Sequence, residues 1–296
     1  MAHELQTRYG TLVDEKLRMT LVTKDNIIFN NRYEGDATAG AVKIPVRDTE
    51  VEVSNYDRAN GVDAKSGSTN YETLVIDQDK AVNEIIDGYE ADAVPDKMVA
   101  ERLDSAGYAL GLDMDTFSIR LLEKAGGTGE VAEGVKTAKV DKTKTAATSS
   151  SAYKTILAAK SYLGRIGVPK DGRWLIVSPE FHATLLEDDK FIRQGDLSQE
   201  ILAKGAVGQI AGFLVFESNN LMFEDTEFVE GKKVTTEFIA GHPNWCHRVS
   251  EWKKEVALQS LEQSGKYIGA SAVQGRKVFG GMISKPETLY IKRTEV

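Results

Sequence analysis

The sequence contains one segment whose residue types could do chemistry together, the run HPNWCH at residues 242–247. Cysteine and histidine are common ligands of zinc and the usual nucleophile and base of thiol enzymes. On a strand, however, the side chains of Cys246 and His247 would point to opposite faces, and a zinc site would need a further ligand from outside the segment. We therefore expect a packed structural turn anchored by Trp245, and a thiol enzyme using Cys246 and His247 is kept as a remote alternative.

A second candidate is the glycine-containing run GEVAEGVKT at residues 129–137. It misses the phosphate-loop pattern by one position, because Val135 stands where a lysine should follow the second glycine. It also follows a predicted helix, whereas a phosphate loop follows a strand. We therefore expect a flexible surface loop here and no nucleotide site.

Clustered carboxylates are a third candidate, since Asp and Glu can take part in metal-assisted or acid–base catalysis. Asp113 and Asp115 form one such group, and Glu187, Asp188 and Asp189 form another. The sequence places no histidine or lysine to complete a site at either position. Acidic runs of this kind usually lie on solvated faces or at helix ends. The sequence therefore predicts no catalytic, cofactor-binding or metal-binding residue, and no cofactor.

The composition is that of an ordinary globular chain. Its 296 residues are 41% hydrophobic and 28% charged, which allows one elaborate domain or two modest ones. The net charge of −8 argues against a surface that neutralises many phosphates, and the single cysteine excludes an intrachain disulfide. No apolar run approaches the roughly 20 residues that span a bilayer, and the polar N-terminus lacks a signal core. We expect a cytoplasmic origin, without export by a standard signal or insertion into a membrane.

A protruding two-stranded ribbon is predicted between about residues 40 and 76. Apolar residues alternate along residues 41–47, as a half-buried strand requires, and Pro45 places this strand at an edge. The turn-rich residues 56–70 are expected to form a mobile tip before a second strand at 71–76. An isolated ribbon is marginal in water and its edges offer unpaired backbone groups. Either the body of the protein or a neighbouring subunit should therefore cover it.

Apolar residues recur every three or four positions between Pro95 and Gly126, which predicts one long helix at about residues 96–124. The apolar stripe consists of Val99, Leu103, Ala106, Leu110, Met114, Phe117 and Leu121. Such a helix would be roughly 40 Å long. Gly107 and Gly111 cost about 1 kcal/mol each relative to alanine, so tertiary packing of the stripe against a core must hold the helix together.

The second half of the chain mixes helices and strands. Residues 126–151 are predicted to be a long surface loop with at most one short strand. Further helices are expected at about 153–163 and from Pro179 to Leu186, the latter with Ser178 as its cap. Further strands are expected at about 173–177, 212–216, 235–240 and 288–292. The sequence thus predicts an α+β chain that carries a protruding ribbon.

Several short segments occur in a recognisable order. They are NNRYE at 30–34, NYDR at 55–58, YETLVIDQDK at 71–80, LIVSPE at 175–180, the segment 205–218, and GRKVFG at 275–280. In this order the chain resembles the major capsid proteins of tailed bacteriophages, those with the Hong Kong 97 capsid fold. The first two segments are similar to capsid proteins from phages of low-GC Gram-positive bacteria.

The resemblance covers nearly the whole chain and implies a division into parts. These are an N-terminal arm at 1–39, an extended β-ribbon loop at 40–76, a peripheral domain at 77–150 with a spine helix at about 96–124, a mainly axial domain at 151–270, and a C-terminal return to the peripheral domain at 271–296.

The resemblance also implies a structural protein and not an enzyme. Many copies would form pentamers and hexamers that close into the icosahedral head and enclose double-stranded DNA without sequence-specific binding. The expected location is the virion capsid, and the host cytoplasm during assembly. A portal is an expected partner and a decoration protein a further candidate. Because the recognisable arm begins near residue 1, with no long helical extension, we expect a separate scaffolding protein or none.

The resemblance leaves one alternative reading open, besides the thiol enzyme considered above. An encapsulin-type bacterial compartment has the same fold and would also be a shell. Some relatives crosslink their subunits through a lysine and an asparagine, and Lys43, Lys65 and many asparagines are present here. No motif identifies a crosslinking pair, so none is predicted.

Overall fold

The periodic segments of the sequence form eleven strands and three helices within the residues that the structure describes. The computed structural model describes residues 18–23, 25–33, 40–46, 51–63, 69–88, 98–127, 136–187, 207–226, 231–262 and 265–295. The strands are β1 (Ala41–Val46), β2 (Asn70–Val75), β3 (Gln78–Ile86), β4 (Lys139–Thr143), β5 (Trp174–Val177), β6 (Gly208–Ile210), β7 (Phe213–Glu217), β8 (Val234–Gly241), β9 (Cys246–Ser260), β10 (Ser271–Ile283) and β11 (Tyr290–Glu295). The helices are α1 (Met98–Lys124), α2 (Ser149–Arg165) and α3 (Pro179–Leu186).

The described strands form three sheets. β1 and β2 make an antiparallel ribbon, and β3, β10 and β9 make an antiparallel three-stranded sheet in that order. The six-stranded sheet has the order β4-β11-β8-β5-β7-β6. It is mixed, because β5 runs parallel to β7 and β4 parallel to β11. The predicted α+β class is confirmed.

The central strand β5 shows where the core lies. All four of its residues are buried, as in a strand that is covered on both faces. Trp174 and Ile176 belong to an apolar cluster shared with α1, whereas Leu175 and Val177 belong to one shared with α2 and α3. The six-stranded sheet therefore lies between α1 on one face and α2 and α3 on the other.

Residues 18–23 and 25–33 complete the core on the α1 side. Ile28 and Phe29 are fully buried in that cluster, and each contributes roughly 2–3 kcal/mol by leaving water. Asp115 of α1 accepts hydrogen bonds from the backbone nitrogen and the hydroxyl of Thr23, at 2.7 and 2.8 Å. The segment is therefore an integral part of the subunit's own packing.

The long helix was predicted correctly where the structure describes it, since α1 ends at Lys124 as expected. The predicted start at residue 96 lies outside the described part. Its apolar stripe packs on the three-stranded sheet, where the rings of Phe117 and Phe279 meet edge to face at 5.4 Å. Gly111 leaves room for Leu21, because a Cβ there would lie 2.9 Å from Cδ1 of that side chain. Among the described helices, none combines the length and apolarity needed to cross a membrane.

The predicted cap at Ser178 is confirmed, whereas the strands β3, β9 and β10 were not predicted. The Ser178 hydroxyl accepts the backbone N–H of Phe181 at 3.2 Å and so caps α3. β9 and β10 were not predicted, because much of β9 is exposed and β10 contains glycines that resemble turn signals. Gly280 in β10 is needed for a close approach instead, since a Cβ there would lie 2.3 Å from the carbonyl oxygen of Val75.

Candidate functional sites

The structure places Cys246 and His247 in separate environments. Cys246 begins β9 and is fully buried in the apolar cluster between α1 and the six-stranded sheet. Burial raises the pKa of its thiol far above the ordinary value, so the reactive thiolate is disfavoured. The ring of His247 bonds instead to Asn30 and Ser284. The geometry therefore provides no nucleophile–base pair, in agreement with the expected structural role.

His247 joins three segments of the chain. Its Nδ1 lies 2.9 Å from Oδ1 of Asn30, and its Nε2 lies 3.1 Å from the hydroxyl of Ser284. Burial, assisted by the nearby charge of Arg32, lowers the pKa of His247 to about 4. The backbone of Asn30 in turn bonds to Cys246 and Arg248 on β9. The neutral imidazole thus fixes Asn30 to β9 and to Ser284, directly after β10.

The residues before Cys246 form the expected packed turn. Pro243–Trp245 make a short 3-10 turn, and Nδ1 of His242 accepts the backbone N–H of Asn244 at 3.2 Å. Nε2 of His242 lies 2.9 Å from the carbonyl oxygen of Asp171, so it donates there. The ring centroids of His242 and Trp245 are 5.6 Å apart. Burial lowers the pKa of His242, which keeps this ring neutral as well.

The acidic pair on α1 is divided between two structural contacts. Asp113 forms an ion pair with Lys80 of β3 at 3.5 Å. Asp115 is buried, and besides Thr23 it accepts a hydrogen bond from Nδ2 of Asn220 at 2.7 Å. The two carboxylates therefore contact different elements, and nothing in this arrangement resembles a metal site.

The other sequence candidates are exposed or lie outside the described residues. Glu187 is exposed just after α3, whereas Asp188, Asp189, Lys65 and most of the run at 129–137 are outside the described part. Lys43 is exposed on β1 opposite Thr73. Across the described residues, no three or more His, Cys, Asp or Glu side chains gather in a way that could hold a metal ion.

Glu123 is a buried carboxylate that sequence reasoning missed. Its side chain is fully buried, and desolvation raises its pKa. Its Oε1 accepts the backbone N–H of Met222 at 2.8 Å, and its Oε2 lies 3.0 Å from Nη1 of Arg120. Glu123 thereby fixes the loop between β7 and β8 to the end of α1. A glutamate near a helix end usually lies in solvent, so the sequence carried no signal for this role.

The ribbon has one docked side and many exposed apolar residues. At its base, Ile44, Val46 and Leu74 are buried in a cluster with Val249 of β9. The exposed apolar side chains are Val51 (91% exposed), Val53 (95%), Tyr56 (74%), Val62 (49%), Tyr71 (67%) and Val75 (53%). Side chains of this kind, concentrated in one region, are typical of a surface that another protein covers.

The expected mobile tip contains a closed turn. The carboxylate of Asp57 accepts the backbone N–H of Ala59 at 2.9 Å and the side-chain amide of Asn60 at 2.8 Å. These bonds, that of Ala59 first, lower the pKa of Asp57. Gly61 closes the turn by donating to the carbonyl of Asp57 at 2.8 Å. Local hydrogen bonds therefore shape the tip although little packs against it.

Comparison with known proteins shows the fold. The sequence matches no protein-family model, and no curated protein is significantly similar to it. Among solved structures, a chain of Mycobacterium phage Che8 is 22% identical, with a TM-score of 0.72, and the match covers 97% of this chain and 96% of that chain.

Two further chains extend this likeness. A chain from the capsid of cyanophage P-SCSP1u is 12% identical, with a TM-score of 0.73, over 98% of this chain and 92% of that chain. A chain from the mature capsid of bacteriophage PhiM1 is 14% identical, with a TM-score of 0.68, over 98% of this chain and 92% of that chain. Likeness over nearly the full length confirms the predicted Hong Kong 97-type capsid fold.

Proposed function

We propose, from the Hong Kong 97-type capsid fold of this chain, that it is the major capsid protein of a tailed bacteriophage. Many copies form pentamers and hexamers, which close into an icosahedral head around double-stranded DNA. The observation that carries the proposal is the full-length likeness to chains of phage capsids. The exposed apolar residues of the ribbon support it, because they need a partner to leave water.

The parts of the chain take roles in this proposal. The assignment is an N-terminal arm at 1–39, an extended loop at 40–76, a peripheral domain at 77–150, a mainly axial domain at 151–270 and a C-terminal return at 271–296. In this assignment, the three-stranded sheet and α1 form the peripheral domain, and the six-stranded sheet with α2 and α3 forms the axial domain. β9 pairs with β10 in the three-stranded sheet, and β11 pairs with β8 in the six-stranded sheet. Each domain therefore contains strands from more than one of these sequence ranges.

In the assembled shell, the extended loop lies across an adjacent subunit and the arm reaches another. A two-stranded ribbon has two free edges, and partner chains readily pair with or cover such edges. Fully burying one valine or larger apolar side chain contributes up to about 1.5–3 kcal/mol. Burial of the six exposed apolar residues of the described ribbon can thus contribute much of the free energy of association.

The chain acts by self-association and catalyses no reaction. It encloses DNA without sequence-specific binding, which suits its net charge of −8. A portal is a further partner, as is a separate scaffolding protein or a decoration protein where the phage has one. The protein resides in the virion capsid, and in the host cytoplasm during assembly. The segments at 30–34 and 55–58 favour a phage of a low-GC Gram-positive host.

The test is negative-stain electron microscopy of the purified recombinant chain, expressed alone and together with the neighbouring open reading frames. We expect closed icosahedral particles, or five-fold and six-fold capsomers, in at least one condition. A small monomer or dimer in both conditions would contradict the proposal. Terminase, portal and tail genes beside this one would identify a phage head, whereas a cargo-enzyme gene would point to an encapsulin-type compartment.

A further inference from the structure

Phe223 is an exposed aromatic side chain on a loop that the structure holds firmly. It is 64% exposed. On one side, Met222 donates its backbone N–H to Glu123 and accepts one from Thr236 at 2.9 Å. On the other side, Glu224 donates its backbone N–H to Oγ1 of Thr235 at 3.0 Å. An aromatic side chain presented in this way loses little conformational freedom on binding, as expected of an interface anchor.

A groove of about 840 Å³ lies elsewhere on the same sheet, between α2 and the β6–β7 turn. Leu157, Ala211 and Leu214 contribute to its largely apolar lining. The turn that forms one wall needs a left-handed backbone, with φ of 52° at Ala211 and 88° at Gly212. On α2, Gly164 leaves open space, since a Cβ there would meet nothing within 4 Å. The groove is wide enough for an aromatic side chain.

Phe223 and the groove lie at opposite ends of two parallel strands. The hollow beside Phe223 is lined by Ser178 and Glu217, at the carboxyl ends of β5 and β7. The groove is lined by Arg173 and Gly212, which directly precede β5 and β7. Because β5 and β7 are parallel, a subunit cannot insert Phe223 into its own groove. A second copy can, and such a head-to-tail contact generates a ring when the rotation closes.

The charges at the two ends are complementary. Glu180, Glu217 and Glu224 line the hollows around Phe223, and the described lining residues there include no lysine or arginine. Lys233 and His182 lie close by and pair with Glu224 and Glu217.

At the groove, the cations Lys160, Lys170 and Arg173 outnumber the one described carboxylate in the lining, Asp171. Arg173 is buried and donates to backbone carbonyls, so the exposed charges at this end are those of Lys160, Lys170 and Asp171, which leave a net charge of +1. Opposite charges at two ends of one body favour the same head-to-tail orientation and disfavour head-to-head contact.

We infer that Phe223 of one copy inserts into the groove between α2 and the β6–β7 turn of the next copy, and that this contact closes the rings of subunits. The inference rests on the proposed shell-forming function and names the surfaces that build its capsomers. The acidic rim of Phe223 faces the lysines of the groove, and the apolar ring fills the space beside Gly164.

Disulfide trapping tests this contact, because the native Cys246 is fully buried and does not interfere. The full chain carrying both Phe223→Cys and Gly164→Cys is assembled as in the microscopy test and oxidised. We expect a ladder of covalent oligomers that ends at five or six subunits on a non-reducing denaturing gel. The two single variants mixed together should give covalent dimers only, since each copy then carries one cysteine.

The matched control replaces Phe223→Cys by Ile268→Cys, at an exposed position in the β9–β10 connection that is 89% exposed. Paired with Gly164→Cys it should give no ladder. Capsomers or shells visible by microscopy without a 223–164 crosslink would overturn the inference and leave the proposed function intact. An unmodified chain that never assembles would overturn both.

Two variants without cysteine extend the test. Phe223→Ala removes the anchor, and Gly164→Leu fills the groove while improving helix propensity. Each should lower the yield of capsomers at least about tenfold, as expected for an interface anchor, with an unchanged thermal midpoint. Mixed, they should form a one-to-one dimer and no ring, because only one of the two possible contacts is intact. Normal rings from either variant would contradict the inference.

Discussion

The six-stranded sheet and the ribbon are both built from β-strands, yet their apolar residues leave water in different ways. In the sheet, Phe238 and Ile239 of β8 are fully buried within the subunit. In the ribbon, Ile44 is buried at the base, whereas Val51 and Val53 are almost completely exposed. The apolar residues of the sheet are thus buried within one subunit. Those of the ribbon are buried only at its base and are exposed in its outer part.

This difference separates subunit stability from assembly. A change in the sheet removes contacts that exist in one chain, so it should lower the free energy of unfolding of the subunit. A change in the outer ribbon removes few contacts within the chain, so it should leave that free energy nearly unchanged. Its effect should appear only when copies associate.

The strongest test of the comparison is deletion of residues 56–70, for which we expect a folded subunit that makes no closed shells. The deletion removes the closed turn at Asp57 and the exposed Tyr56, while the buried base at Ile44 and Leu74 remains. Circular dichroism should show a normal cooperative unfolding transition, and electron microscopy should show no closed particles. Shells of normal size and stability would contradict the role of the loop.

A substitution pair sharpens this result without shortening the chain. Val51→Ser with Val53→Ser should impair assembly and leave the unfolding transition unchanged, because both side chains are exposed in the subunit. The matched control, Ile44→Ser, changes a buried residue of the same ribbon. It should destabilise the subunit itself, so the two variants separate association from folding.

The next largest effect is on the unfolding free energy, when a buried residue of the six-stranded sheet is changed. Phe238→Ala should lower the free energy of unfolding by about 3–5 kcal/mol, the usual cost of removing a buried phenylalanine. The ring of Phe238 packs against Phe181 at 5.0 Å and Tyr290 at 6.0 Å between centroids, so its loss leaves a cavity. Urea unfolding measures the change. A loss below about 1 kcal/mol would mean that the two faces of the sheet are less tightly packed than the structure indicates.

The sequence predicted the elements whose pattern is local. The apolar stripe of α1, the alternation of β1 and the cap at Ser178 each depend on residues close together in the chain, and each was predicted correctly. The segment order also predicted the fold that the comparisons confirm.

What the sequence did not predict depends on contacts between distant residues. Gly280 resembled a turn signal. It is instead required because the backbone of Val75, at the base of the ribbon, lies too close for a side chain there. Glu123 resembled a solvated glutamate, but its acceptor role depends on Met222, 99 residues away. No sequence pattern marks Phe223 or the groove beside Gly164. Their placement at opposite ends of the sheet follows only from the parallel pairing of β5 and β7.

A smaller, pH-dependent effect lies where the two regions join. His247 bonds to Asn30 and Ser284, and Tyr33, whose ring lies 5.2 Å from it, packs against the base of the ribbon. Burial lowers the pKa of His247 from 6.5 to about 4, so the unfolded chain binds its proton at a higher pH than the folded chain. The free energy of unfolding should therefore fall as pH drops from 6.5 towards 4, by up to about 3 kcal/mol.

His247→Gln isolates this contribution, because glutamine can hydrogen-bond without titrating in this range. Urea unfolding of both proteins at pH 7, 5.5 and 4.5 should show a steeper decline for the unchanged chain. Parallel declines would assign the acid sensitivity to other groups, such as carboxylates that are ionised in the folded subunit.

The smallest effect is expected at the residue that first suggested chemistry. Cys246→Ala removes one buried sulfur from a well-packed cluster, so it should lower the free energy of unfolding by about 1 kcal/mol. Assembly should be unchanged, because Cys246 is buried within the subunit and is not exposed to a partner. Thermal unfolding and microscopy of the same preparation measure both properties. Loss of a measurable activity with normal folding and normal shells would revive the thiol-enzyme alternative, since neither packing nor association could then account for it.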